Sequence, residues 1–336
     1  MRILVTGARG FIGSKLVPRL IQQGHQVSTF GRSPLPDDLT YRPDKHFLGD
    51  ISDSAAVSQA VSNCEVVYHL AGLVSYRKAV RDRQFEVNVL GTRNVMDASL
   101  KSGVSRVIHT SSIAGMGIPP GGEVADETFV YNLEGSGLNY CETKHQAELE
   151  VESYIAKGLP VLMLCPGIVL GEGDTHPHHK AIFMALSRGW LLGWPPGGVS
   201  FCDIEDVITA HLNALTLGKT GERYVLSSAN LTYRQATGIV AGVLNVPEPR
   251  FEIPGFVIDL AGAFSETVFP LFGKKPALTR QVAWLSQRKI FFSAEKARCE
   301  LNFPQTDFET TVRRIAPFYL KRSCRIDGNP AANAKT

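Results

Sequence analysis

The sequence predicts an α/β fold, a doubly wound parallel sheet with a smaller, mostly helical C-terminal cap. Three observations carry that expectation. Apolar runs of strand length alternate with amphipathic segments of helix length through the first two-thirds of the chain. A glycine-rich turn separates the first apolar run from the first helix. After Pro166 the rhythm breaks, and Gly, Pro, His and Trp become frequent up to Gly198.

Taken in order, the expected strands are Ile3-Leu4-Val5, Val27 to Phe30, Val66 to Leu70, Val104 to His109 and Val161 to Cys165. Such unbroken apolar runs suit strands covered on both faces, as in a parallel sheet. The expected helices are Phe11 to Gln23, Ser54 to Ser62, Arg83 to Ser102 and Asn139 to Ala156. A second irregular region of helices runs from about Thr232 to Lys321. Before it, Val199-Ser200-Phe201-Cys202 and the helix-like Asp206 to Leu217 are expected to return to the first layer. The large domain is therefore placed at 1–166 plus about 199–228, and the cap at about 167–198 plus 229–322. Residues 323–336 read as a frayed tail.

Composition narrows the function. The 336 residues make about two structural units. With 44% hydrophobic and 20% charged residues, neither a disordered nor a collagen-like chain fits. Lys+Arg of 35 against Asp+Glu of 32 is too balanced for an electrostatic footprint on nucleic acid or anionic lipid, so small molecules are the expected partners. The six cysteines, Cys64, Cys141, Cys165, Cys202, Cys299 and Cys324, form no C-x-x-C pair. Met1-Arg2-Ile3-Leu4-Val5 enters a strand directly, without the features of a signal peptide, and a cytoplasmic protein with reduced thiols is expected. Gly255 to Phe272 is the most apolar long segment, but Asp259, Glu266 and Pro270 interrupt it, so it is short for a membrane span. A buried or subunit-contact helix is expected there, with contact at a bilayer surface as the alternative.

Gly7-Ala8-Arg9-Gly10-Phe11-Ile12-Gly13 lies where a backbone must approach a pyrophosphate closely. Glycines remove the Cβ obstruction, and the helix N-terminus offers unpaired N–H groups at the positive end of its dipole. Together with Gly49-Asp50, His69-Leu70-Ala71-Gly72, Thr110-Ser111-Ser112 and Tyr140-Cys141-Glu142-Thr143-Lys144, this G-x-x-G-x-x-G turn resembles the extended short-chain dehydrogenase/reductase family, within the NAD-dependent epimerase/dehydratase superfamily. The resemblance runs from residue 1 to about 320 and weakens in the cap. It implies a Rossmann-type domain, a nicotinamide dinucleotide and a homodimer built from the helices at Arg83 to Ser102 and Asn139 to Ala156.

Tyr140 and Lys144, four residues apart, share one helix face. An ammonium beside a phenol, with a cationic nicotinamide nearby, favours phenolate and lowers the Tyr pKa from about 10, so that it exchanges a proton near neutral pH. The resemblance makes Ser112, rather than Ser111, the donor to the substrate oxygen, has Lys144 hold the ribose hydroxyls, and sets Asn88 near the relay. It also assigns Asp50-Ile51 to adenine, and Leu70-Ala71-Gly72 and Pro166-Gly167-Ile168 to the nicotinamide half.

Cofactor choice is read at Thr29-Phe30-Gly31-Arg32-Ser33, where Gly31 stands in place of the acid that would repel a 2′-phosphate. Arg32, helped by Arg9, is placed to grip that phosphate. NADPH is therefore expected over NADH. Ser112-Ile113-Ala114 lacks the carboxylates of sugar dehydratases, and Cys165-Pro166-Gly167-Ile168 resembles the dihydroflavonol reductase and 3β-hydroxysteroid dehydrogenase branches. The reading is an NADPH-dependent carbonyl reductase, reversible as an alcohol dehydrogenase, for a medium-sized apolar or aromatic substrate. Its rivals are a nucleotide-sugar epimerase with tightly held NAD and a non-catalytic dinucleotide sensor. Arg188, Trp190 and Trp194 are candidate ligand contacts or a packed hinge. His176-Pro177-His178-His179 reads as a loop at the pocket mouth, with no metal, and Arg313, Arg314, Lys321, Arg322 and Arg325 as a solvated face.

Overall fold

The computed structural model of the chain describes residues 1–174, 177–276 and 278–321. His176 and the tail 323–336 lie outside the described residues. The first stretch runs β1 (Arg2–Thr6), α1 (Phe11–Gln22), β2 (Gln26–Gly31), β3 (Lys45–Leu48), α2 (Ser54–Val61), β4 (Val66–His69), α3 (Arg81–Phe85), α4 (Gly91–Lys101) and β5 (Arg106–Thr110). It continues through β6 (Val124–Ala125), α5 (Asn139–Ile155), β7 (Val161–Pro166), β8 (Ile168–Leu170), α6 (Pro177–Ser187), β9 (Gly193–Trp194), β10 (Gly198–Asp203), α7 (Ile204–Asn213) and β11 (Arg223–Leu226). The remainder is β12 (Ala229–Thr232), α8 (Tyr233–Leu244), β13 (Phe251–Glu252), α9 (Gly255–Val268), α10 (Arg280–Leu285), β14 (Lys289–Phe292), α11 (Glu295–Leu301) and α12 (Phe308–Lys321).

Seven parallel strands form the main sheet in the order β3-β2-β1-β4-β5-β7-β11. Alternation along β1 explains its unbroken apolar run. Ile3 and Val5 meet Leu16 and Leu20 of α1 with Val207 of α7, while Leu4 meets Val57 of α2 and Met96 of α4 on the other face. The order reverses where β1 lies between β2 and β4, and the carboxyl ends of the strands at such a reversal form a ligand crevice.

Five features differ from the sequence expectation, the first being that Pro177-His178-His179, read as part of a loop, opens α6. Val199–Cys202, in β10, does not join the first layer; β10 pairs with β12, β14 and β8 in a second, five-stranded sheet, so the cap region is less purely helical than expected. β11 instead fills the edge of the main sheet, while α7 does pack on that layer beside α1. The expected helix at Arg83 to Ser102 is α3 and α4 joined by a π-helical turn, Glu86–Leu90. Gly255–Phe272 is not buried within the chain: only 17% of it is covered. On α12, Arg313 pairs with Glu309 at the surface, whereas Arg314 turns inward to the buried Asp203.

Candidate active site

The turn after β1 is held by steric necessity. Gly7 has φ +70°, and a Cβ there would stand 2.7 Å from the Ala71 nitrogen; one at Gly13 would stand 2.4 Å from the Gly7 oxygen. The turn therefore packs directly on Leu70-Ala71 at the end of β4. Gly10 caps α1 without a side-chain acceptor, and the first turn of α1 contains no acid. The leading N–H groups of a twelve-residue helix can thus receive an anion with no competing carboxylate. That cradle, whose tight turn no side chain at Gly7 or Gly13 would allow, fits the pyrophosphate of a dinucleotide, and Arg9 lies exposed beside it.

Tyr140, Lys144 and Glu148 recur at intervals of four on the buried face of α5. The Ser112 hydroxyl lies close enough to the Tyr140 phenol to favour its ionised form, and it accepts from the Ala114 N–H at 3.2 Å. Burial pushes the phenol up to about 12, against the lowering effect of Ser112. Lys144 is not among the groups that move the phenol here; its Nζ donates to the Thr110 carbonyl at 2.9 Å. Burial pulls the ammonium down to about 8, opposed by the carboxylate of Glu148.

Ser111 is turned away from the crevice and donates to Glu148, which also receives Arg223 at 3.3 Å. Glu148 was not singled out in the sequence, although its position one turn beyond Lys144 was the available signal. Its carboxyl is raised by burial, with Ser111 and Arg223 opposing.

Asn88 sits in the π-helical turn, where such local widening re-aims a side chain. Its Oδ1 accepts from the Leu73 N–H at 2.7 Å, and its Nδ2 donates to the Leu73 carbonyl at 3.1 Å and to Thr143 at 3.2 Å. It therefore ties the loop after β4 to α5. A Cβ at Gly72 would come 3.5 Å from Asn88 Oδ1 and 3.8 Å from Lys144 Nζ, which puts Gly72 beside both.

A directed hydrogen-bond chain supports this corner. Thr6 accepts from the Ala71 N–H at 3.2 Å and is 2.8 Å from His69 Nδ1; His69 Nε2 is 2.9 Å from Thr92, whose hydroxyl donates to the Asn88 carbonyl at 2.6 Å. The carbonyl can only accept, so Thr92 receives from His69 Nε2–H and His69 Nδ1 receives from Thr6. The ring is neutral, as its pKa of about 3, lowered by burial and by Lys144, requires.

On the other side of the turn, Gly31 has free space: the nearest atom to a Cβ there is His46 Cε1 at 3.8 Å. Arg32 is exposed beside it. His46, also missed in the sequence, donates from Nε2 to the Ser33 carbonyl at 3.0 Å and accepts at Nδ1 from Thr29 at 2.8 Å, fixing that loop. Desolvation tends to raise the Asp50 carboxyl, but hydrogen bonds from Ser52 and the neighbouring Arg83 hold it below its ordinary value. Ile51 is buried against Gly91. Pro166 closes β7, and a Cβ at Gly167 would strike the Ser200 oxygen at 2.3 Å, so Gly167 lets Ile168 cross onto β10.

The cap side is aromatic. Tyr76 meets the Tyr140 ring edge-on at 5.4 Å. A cleft of about 560 Å³ opens between Pro119, Asn132, Leu133, Pro196, Trp284 and Arg288, and its Leu133 wall packs with Cys141 and Tyr76. Trp190 is exposed under Arg188, and Trp194 lies under Arg234. His179 contacts the buried Asp174 at 2.6 Å, and Tyr319 donates to the same carboxylate. Among the described residues no cluster of three His, Cys, Asp or Glu is arranged for a metal ion.

Residues 3–227 match the model of the NAD dependent epimerase/dehydratase family. The chain is 29% identical over 314 residues to the putative dihydroflavonol 4-reductase of Synechocystis sp., spanning 92% of this chain and 91% of that protein. It is 32% identical over 259 residues to sterol demethylase protein B of Methylococcus capsulatus, spanning 76% and 78% respectively. The crystal structure of gox2253 is similar with a TM-score of 0.80 at 27% identity, covering 95% of this chain and 98% of that one. The glycine cradle, the parallel sheet and the family match agree: this chain belongs to the NAD dependent epimerase/dehydratase family, the extended short-chain dehydrogenase/reductases, and is an oxidoreductase that uses a nicotinamide dinucleotide.

Proposed function

We propose that the chain is an NADPH-dependent reductase, reversible as an alcohol dehydrogenase, for a ketone or aldehyde on a medium-sized apolar or aromatic substrate. The observation that carries this reading is the Ser112–Tyr140 hydroxyl pair at the carboxyl edge of the sheet, beside a cradle fitted to pyrophosphate. A bound nicotinamide dinucleotide supplies the hydride, or takes it in the reverse direction. Tyr140 gives its proton to the carbonyl oxygen, and its high pKa keeps that proton in place at neutral pH before the cofactor binds. Ser112 orients the same oxygen. Lys144, whose ammonium is beside Gly72 and Thr110, holds the ribose hydroxyls, with Asn88 fixing the loop that carries Gly72.

An apolar substrate is supported by the aromatic wall of Tyr76 and by relatives named for a dihydroflavonol and a sterol. NADPH is favoured by the acid-free Gly31-Arg32 corner. The protein works in the cytoplasm in this reading. The test is dinucleotide oxidation across a panel of ketones and aldehydes with Tyr140→Phe as control. Turnover falls by on the order of 10²–10⁴ in that variant while dinucleotide affinity is nearly unchanged. Undiminished turnover refutes the proton-transfer role. The family description also admits an epimerase, and conversion of a nucleotide sugar without net dinucleotide consumption would establish that instead.

A further inference from the structure

The apolar face of α9 has no cover within the chain. At 100° per residue, Phe256, Leu260 and Phe264 form one stripe along the helix, and they are 73%, 68% and 60% exposed. Leu271 and Phe272, in the turn that follows, extend the same exposed surface. Single exposed apolar residues are ordinary, but a contiguous patch of this kind marks a docking surface.

The rest of the helix says what docks. Its opposite side, Ile258, Gly262 and Ser265, is buried against α10, where a Cβ on Gly262 would meet that of Ala283 at 2.9 Å. Both acids are on the flank away from the stripe and already engaged: Asp259 accepts from Gln287 at 2.7 Å and Glu266 faces Arg280 at 3.7 Å. The apolar surface ends in Lys274 and Lys275, exposed and, among the described residues, without a carboxylate partner. A charge-free stripe bordered by unpaired cations is the pattern of a helix that lies in a membrane interface, with its apolar side chains among acyl chains and its lysines at headgroups. The helix has 14 residues, about 21 Å, too little for a hydrocarbon core of about 30 Å. It rests on the bilayer rather than crossing it. A second copy of the same face would offer the lysines only Asp259 and Glu266, both occupied.

We infer that α9 and the turn after it dock the protein on the surface of an anionic lipid bilayer, independently of the reaction it catalyses.

The experiment is co-sedimentation of the full chain with vesicles of phosphatidylcholine alone and of phosphatidylcholine mixed with phosphatidylglycerol. The unaltered chain sediments with the mixed vesicles, and raised salt weakens that binding. The triple variant Phe256→Ser, Leu260→Ser, Phe264→Ser loses it by more than about tenfold. Lys274→Glu with Lys275→Glu lowers binding to mixed vesicles by more than about tenfold and leaves the weak binding to phosphatidylcholine unchanged. Thermal melting close to that of the unaltered chain shows that the substitutions, all at exposed positions, leave the fold intact. The inference is overturned if the unaltered chain stays in the supernatant with both vesicle types, or if the triple variant binds as well as the original. A triple variant that turns a dimer into a monomer, where the unaltered chain ignores vesicles, gives the face to a second copy and overturns it equally.

Discussion

Lys144 and Glu148 lie one turn apart on the buried face of α5, and the carboxylate opposes the loss of charge that burial imposes on the ammonium. Glu148 touches neither the phenol nor the cradle, so it acts as a positioning residue through Lys144. Glu148→Gln keeps the shape and removes the charge. The ammonium then loses its proton at a pH below its present value of about 8. Dinucleotide titrations over pH should show affinity falling off at lower pH than in the original protein. The same variant leaves Arg223 without its ion pair, at a stability loss of about 1–3 kcal/mol. A pH profile that does not move would assign Glu148 to folding alone.

The Lys144 pKa also fixes the sign of a stability effect. Its value of about 8 lies below the ordinary 10.5. Between these two values the unfolded chain carries a proton that the folded chain has lost, so stability from this group rises with pH there and is lost as pH falls toward 8. Lys144→Met removes the effect. In the cofactor-free protein at pH 7 the variant should be more stable, by on the order of 3 kcal/mol, and the gap should close near pH 10. Paired urea denaturations at the two pH values measure it. A variant that is less stable at both would show that the Thr110 hydrogen bond outweighs the burial of charge.

The features readable in the sequence are those set by local pattern. The unbroken apolar runs of β1 and β4, the glycine turn and the four-residue spacing on α5 each specify their geometry within a few residues. β3 escaped notice because it is a short edge strand with exposed Lys45 and Leu48 and no apolar alternation. β10 is as apolar as a strand of the main sheet, and only its distant partners β12 and β14 decide which sheet it joins. The aim of Lys144 depends on a carbonyl 34 positions away. Apolar character alone suggested that α9 would be covered, yet burial depends on what the rest of the cap brings against it.

The two adjacent serines should separate cleanly. Ser112 is the hydroxyl that favours ionisation of the phenol, whereas Ser111 donates to Glu148. Ser112→Ala should reduce kcat by roughly a hundredfold with little change in melting temperature. Ser111→Ala takes a donor from a buried carboxylate and should cost about 1–3 kcal/mol of stability, with a smaller loss of turnover. Kinetics and thermal melts on both variants decide it. The reverse pattern would exchange their roles.

Dinucleotide preference provides the sharpest use of free space in the structure. A side chain can be added at Gly31, since the nearest atom to its Cβ is 3.8 Å away, and the loop it enters is held by His46. An aspartate there would accept hydrogen bonds from ribose hydroxyls and repel a 2′-phosphate. Gly31→Asp should therefore lower kcat/KM for NADPH by more than about tenfold while preserving or improving it for NADH. Arg32→Ala should weaken NADPH alone, because the lost guanidinium fork serves a phosphate that NADH lacks. An equal loss with both dinucleotides in the Arg32 variant would mean that this side chain supports the loop rather than the phosphate, and preference would then have to be sought at Arg9.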